Sequence, residues 1–290
     1  MKPAKAEEEA SSLVTGYRGV SQAVRRAIAA VILGVLLCGC NTRPYMTSDR
    51  LDKGLVVILP GIEMHPAHSA LIREGLMEGG VPCAFEIYNW YKGNISARYV
   101  YDEAASRMRA RELADYILEY QRAHPGRPVF IIGHSAGGAM AVFATEEAAG
   151  SRPIDGLIIL APALGPEYDL TRALGGCCGR MVNCWSSTDY FLKALTTAGQ
   201  NLDGTSGKTA GQEGFRLPTG APESRRKAFA SLVQIKWAPE MLKEGNWGGH
   251  LAWSDPYWVK ADLAPIIKQW SAEARAAGET NTVAAGRLRQ

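Results

Sequence analysis

VFIIGHSAGG, residues 129–138, joins a short apolar run to a serine flanked by glycines, and an alanine-rich segment follows to about Ala149. A continuous apolar run suits a strand buried on both faces, and the alanine-rich segment suits a helix. A serine set between them as Gly-x-Ser-x-Gly sits on a sharp strand-to-helix turn that lifts its hydroxyl into the open. Gly133 and Gly137 lack side chains for a physical reason, because such a turn lays the flanking backbone against the neighbouring strand and helix. The pentapeptide pattern alone arises by chance; the strand before it and the helix after it give it weight.

The same alternation runs along the chain. Leu55–Leu59 (LVVIL), ending in Pro60-Gly61, is a buried strand, and a helix over Ala67–Glu78 follows. Cys83–Trp90 is rich in strand formers. Tyr101–Arg122 reads as an amphipathic helix with Ala105, Met108, Leu113, Tyr116, Ile117 and Tyr120 on one face. Leu157–Leu160, Met181–Trp185 and Leu232–Trp237 are further strands, and Val259–Trp270 is a closing helix. Strands that alternate with helices predict an α/β class, with a mostly parallel central sheet covered by helices on both faces. No repeat of solenoid or propeller period is present. Gly199–Pro222, with six glycines and two prolines, reads as a long surface loop, a mobile flap beside the site. Ser271–Gln290 has no clear apolar face and is expected to be a frayed or disordered tail.

A serine hydroxyl is a poor nucleophile without a base to take its proton. Of the five histidines, only His250 follows Ser135, and sites built on this turn take serine, acid and histidine in that chain order. His250 stands in Gly248-Gly249-His250, after the last strand, and is the candidate base; His134, next to the serine in a tight turn, reads as structural. The acid that orients the imidazole comes from Asp155, Asp169, Asp189 or Asp203. Asp189 is preferred because Met181–Trp185 runs into a turn that delivers it at the carboxyl edge of the sheet. Asp169, after Leu157–Leu160, is the runner-up. The oxyanion needs N–H donors fixed in advance. One is Ala136, and the loop Leu59-Pro60-Gly61-Ile62 offers the N–H of Ile62 as the second. His65 and His68 read as a loop and a helix start rather than a metal pair, and no metal is predicted.

From about Leu55 to Trp270 the strand order, LPGI, GHSAGG, the strand leading to Asp189 and GGH around His250 resemble the α/β-hydrolase superfamily, among its esterase and lipase-like members. Pro60-Gly61 replaces the His-Gly common in that family at this place. The resemblance implies cleavage of an ester, thioester or amide through an acyl-enzyme, without cofactor, on a small-molecule substrate. An acyltransferase with the same triad and a non-catalytic binding lipoprotein of the same fold are the alternatives.

Length and composition fit one folded domain, taken as 55–270. The chain has 290 residues, 47% hydrophobic and 21% charged. A formal charge of +3 and no Lys/Arg block argue against a nucleic-acid surface. The first forty residues read as an export signal: Arg25-Arg26, an apolar run Ala27–Leu37, then Leu37-Cys38-Gly39-Cys40. That run rises only ~16 Å as a helix, about half of a bilayer core. Its end resembles the bacterial lipobox, which makes Cys40 the lipid-anchor residue, with an ordinary cleaved signal and Cys38 as alternatives. The protein is then exported, periplasmic or at the cell surface, and held at a membrane, with residues 41–54 as a linker. The remaining cysteines, Cys83, Cys177, Cys178 and Cys184, allow three full pairings between which sequence does not choose.

Overall fold

A computed structural model describes residues 44–62, 67–91, 102–198 and 200–287. The export signal and Cys40 lie outside the described residues. Six parallel strands form one sheet: β1 (Leu55–Leu59), β2 (Ala84–Ile87), β3 (Val129–His134), β4 (Gly156–Leu160), β5 (Met181–Trp185) and β6 (Leu232–Lys236). Their spatial order is β2-β1-β3-β4-β5-β6. The helices that matter here are α1 (Ala67–Glu78), α2 (Glu103–Ala123), α3 (Ala136–Ala148), α4 (Thr171–Gly176), α5 (Tyr190–Ala198), α6 (Ala210–Glu213), α7 (Glu223–Phe229) and α8 (Ala264–Arg287). This is the α/β class that the sequence predicts, with every strand of the sheet parallel.

The period of two along each strand builds two cores. Leu55, Val57, Leu59, Ile131, Leu157 and Ile159 pack on one face with Leu113 and Ile117 of α2 and Met140 and Phe143 of α3. Val56, Ile58, Phe130, Ile132, Ile158 and Leu160 pack on the other with Ile72 and Leu76 of α1, Ile267 of α8, and Trp253 and Trp258 from the turns before α8. Both faces being covered explains why β1 and β4 are buried at every position. On α2 the buried stripe is Ser106, Ala110, Leu113, Ala114, Ile117, Tyr120 and Gln121. Met108, expected inside, is exposed: the stripe starts from small residues that let α2 lie close to α3, and Met108 falls off it.

Three expectations are corrected. The described part of the Gly199–Pro222 segment, residues 200–222, is not a free surface flap. Leu202, Ala210 and Gly211 donate their N–H groups to Ala163, Leu164 and Pro162 at 3.1, 2.7 and 3.1 Å, and Arg216 donates to Pro166 at 2.8 Å. Gln234 of β6 accepts from the Phe215 N–H and donates to its carbonyl, at 2.6 and 3.0 Å. The segment is thus held through its main chain, which leaves no side-chain period to read, and Gly211 is needed for closeness: a Cβ there would stand 2.5 Å from the Ala161 carbonyl carbon.

The tail is the second. α8 continues to Arg287, and its Ser271–Arg275 turn docks through small and charged side chains rather than an apolar stripe. Ser271 is buried beside the Cys83 thiol at 3.7 Å, Glu273 pairs with Arg180 at 3.1 Å, and Arg275 donates to the Lys53 carbonyl. Third, the part of the expected linker that is described is bound to the sheet. Phe85 donates its N–H to Tyr45 at 2.8 Å, and Arg50 reaches the carbonyls of Val81 and Cys83 at 3.2 and 2.9 Å.

The four cysteines of the domain are free thiols. Cys177 packs on one face of the sheet, and Cys83 and Cys184 on the other. Burial pushes the Cys177 thiol up to about 12. Among the described residues no helix is long and apolar enough to cross a membrane.

Candidate active site

Sheet topology selects the place. The chain leaves β1 to form β2 on one side and returns to form β3 on the other, so β1 and β3 flank a switch point where α/β sheets open a crevice at their carboxyl ends. Leu59 pairs in register with Gly133. The residues that follow these partners, Gly61-Ile62 and Ser135-Ala136, therefore emerge side by side.

Ser135 has φ 56° and ψ −122°, a left-handed conformation rare for a residue with a Cβ. Main-chain bonds on both sides hold it there: its N–H donates to Leu160 at 2.8 Å, and its carbonyl accepts from Ala163 at 3.1 Å and from Gly138 at 2.9 Å. α3 begins at Ala136. Gly137 is the close approach: a Cβ there would meet the carbonyl oxygens of Leu59 and Pro60 at 2.3 and 2.5 Å. The first turn of α3 thus rests on the loop that leads from β1 to Ile62. Trp90 steadies that loop by donating its indole N–H to Pro60 at 2.8 Å, and Arg109 in turn donates to the Trp90 carbonyl at 2.6 Å.

Asp189 lies just past β5, in the turn that begins α5, and is buried. One carboxylate oxygen accepts the Leu192 N–H at 2.9 Å, and the other stands 2.7 Å from Nδ1 of His250. A carboxylate only accepts, so Nδ1 carries the hydrogen and Nε2 is the basic nitrogen. His250 opens a 3-10 turn, His250–Ser254, and is buried. Nε2 of His134 lies 2.9 Å from the His250 carbonyl; a carbonyl cannot donate, so His134 does. The two imidazole rings pack at 4.6 Å between centroids. Because His134 is adjacent in sequence to Ser135, this bond ties the base's backbone to the serine's strand.

The other aspartates lie elsewhere. Asp169 accepts from the N–H and hydroxyl of Thr171 at 3.0 and 2.6 Å and faces Arg225 at 3.6 Å on the surface. Asp155 accepts from Val129 at 2.8 Å, at the amino end of β3, and Asp203 accepts from Gly165 at 3.0 Å. His68 lies 3.4 Å from the Ser254 hydroxyl, and His65 is outside the described residues. Sequence reasoning missed Phe191, whose ring stacks on that of His250 at 4.7 Å. Its place two residues after Asp189 was the available signal.

An ionic cluster joins α2 to the carboxyl-terminal end of α3. Glu146 of α3 pairs with Arg107 of α2, and the Tyr168 hydroxyl donates to the Glu146 carboxylate at 2.9 Å. Arg107 also lies over the Phe143 ring at 4.0 Å. Burial pushes the Glu146 carboxyl above its ordinary range, and Arg107 pulls it partly back.

Residues 101–204 match a family model described as serine aminopeptidase, S33. The match holds Ser135 and Asp189 and ends before His250. The comparison with curated proteins found no match. Among solved structures, a Thermus thermophilus protein is 17% identical over 75% of this chain and 89% of its own, with a TM-score of 0.44. A poly(3-hydroxybutyrate) depolymerase of Bordetella parapertussis is 14% identical over 75% and 78%, TM-score 0.44. An α/β serine hydrolase without lid from Xanthomonas campestris is 11% identical over 79% and 85%, TM-score 0.41. Over residues 101–204 the chain is thus similar in sequence to the serine aminopeptidase, S33, family.

Proposed function

We propose that this chain is a serine hydrolase that cleaves a carboxylic ester through an acyl-enzyme on Ser135. The observation that carries the reading is the buried 2.7 Å pair of Asp189 and His250, tied through His134 to the strained turn of Ser135. In the first step Nε2 of His250 takes the Ser135 hydroxyl proton as the oxygen attacks the carbonyl carbon. The carbonyl oxygen gains the charge and accepts the N–H groups of Ala136 and Ile62. Collapse breaks the ester C–O bond, and the imidazolium returns its proton to the departing alkoxide. Water then repeats the sequence on the acyl-enzyme and releases the acid. Asp189 keeps the hydrogen on Nδ1 and stabilises the imidazolium that forms in each step. No cofactor enters this scheme.

A fluorophosphonate probe is expected to label Ser135 in the folded protein. Ser135→Ala and His250→Ala are each expected to lower kcat on a chromogenic ester by ~1,000-fold or more, and the double variant hardly further, because the two act as a unit. Absence of labelling together with unchanged turnover in Ser135→Ala would sink the reading and leave a binding protein of this fold. The aminopeptidase description of the matched family favours a second reading, amide cleavage on the same groups. Comparing an ester with its amide decides between them, and suppression of hydrolysis by an added alcohol marks an acyltransferase.

The proposal extends to location: an exported protein anchored through lipid on Cys40. Cys40→Ser is expected to release it from membranes, and a mature N-terminus at another residue in mass spectrometry contradicts this.

A further inference from the structure

We propose that Tyr190, Phe191, Trp247 and Leu251 form the leaving-group site, and that the substrate is an ester of a bulky aromatic alcohol. The inference rests on the serine-hydrolase reading and deepens it.

The argument starts from where the proton goes. The alkoxide can be protonated only by the nitrogen that took the Ser135 proton, Nε2 of His250, within hydrogen-bond reach of ~3 Å. The alcohol half of the ester must therefore leave past His250, whereas the acyl half stays on Ser135. The side chains packed around His250 are the surface that the alcohol meets.

Those side chains are apolar and exposed, although His250 itself is buried. Phe191 stacks on the imidazole with 25° between planes and is 46% exposed. Trp247 lies over the residue preceding the base: a Cβ on Gly249 would stand 1.7 Å from the indole, and the side chain is 59% exposed. Leu251 follows the base directly and is 36% exposed, and Tyr190, beside Phe191 at the start of α5, is 71% exposed. Large apolar side chains left in water around a catalytic group mark a binding surface rather than a core. Aromatic rings recognise flat apolar partners by stacking or edge contact. Three of the four are aromatic, so the surface offers stacking faces and edges that suit an aromatic alcohol, and Lys193 lies over the Tyr190 ring at 6.0 Å from its centroid.

The test holds the acyl group at butyryl and compares methyl, benzyl and naphthylmethyl esters, whose alcohols differ little in acidity, so that size rather than leaving ability is read. The naphthylmethyl-to-methyl ratio of kcat/KM is expected to exceed tenfold in the wild type. Trp247→Ala and Phe191→Ala are each expected to reduce that ratio about tenfold, with partial recovery in Trp247→Phe. A ratio near one, with turnover still dependent on Ser135, overturns the inference and leaves the hydrolase reading standing. No Ser135-dependent turnover of any ester sinks that reading itself. If Trp247→Ala instead alters acyl-chain preference among methyl esters, the site belongs to the acyl group. If it abolishes sedimentation with phosphatidylcholine vesicles and spares the alcohol ratio, the surface is a membrane face. Both results overturn the proposal.

Discussion

Replacing Gly211 by alanine tests whether the glycine-rich segment belongs to the active-site scaffold. Gly211 sits between two supports of the site. On one side is the turn after β4, where Ala161 has φ 46° and Ala163 holds the Ser135 carbonyl. On the other is Leu192, which holds Asp189. A new Cβ would lie 2.5 Å from the Ala161 carbonyl carbon and 2.7 Å from Leu192 Cδ1, whereas ordinary contact begins at 3.4 Å. Relief therefore needs a shift of 3.4 − 2.5 = 0.9 Å on the backbone side. Overpacking of that kind costs about 1–3 kcal/mol, and displacing reacting groups by about 1 Å costs roughly 100-fold in rate. Urea unfolding and kcat/KM on a short ester read the two effects. Gly175→Ala, at an open helical position, is the control and is expected to be neutral or slightly stabilising. If Gly211→Ala alters stability by less than about 0.5 kcal/mol and leaves kcat/KM unchanged, the docking of the segment is refuted.

Asp189→Asn is expected to reduce kcat by ~10,000-fold, because an amide no longer fixes the tautomer, whereas Asp169→Asn leaves it within about twofold; the reverse ranking on one chromogenic ester moves the acid to Asp169. Glu146→Gln is expected to destabilise the fold by about 2 kcal/mol by removing a charge-assisted partner from Arg107, and an unchanged urea midpoint contradicts that. Burial, then a shared hydrogen bond and repulsion with Glu244, push the Asp262 carboxyl from its ordinary 3.8 up to about 6. Between these values the folded chain binds more protons than the unfolded one, so this carboxyl lowers stability as pH rises through that window. Asp262→Asn is accordingly more stable than the parent at about pH 7.5 and loses this slope; a constant difference between the two from pH 4 to 7.5 argues otherwise.

The parts of the fold that sequence revealed are those in which side chains decide. LVVIL and LIIL announce strands because both of their faces meet apolar helices, and the turn at Ser135 is legible because it needs glycine at fixed offsets. Asp189 was separable from its rivals by position, since only a residue past the carboxyl end of β5 reaches His250. What escaped reading is built from backbone or from small residues. The 200–222 segment pairs main chain to main chain with 161–166, which leaves no period in the side chains. α8 docks beyond Trp270 through Ser271 and Arg275, a composition that reads as solvated tail. Phe191 carried only one signal, its place two residues after Asp189, because its contact with His250 spans β6 and the turns around it.

The conformation of Ser135 sets two demands on this chain against each other. A non-glycine residue at φ 56° costs on the order of 1–3 kcal/mol, against a total stability for a domain of about 5–15 kcal/mol. Glycine accepts that geometry without strain. On the proposed serine-hydrolase reading, Ser135→Gly is therefore expected to fold more tightly than the natural sequence and to hydrolyse nothing. Under the proposed chemistry the same φ that loads strain onto the fold is what turns the hydroxyl outward, so the strain and the nucleophile would be lost together.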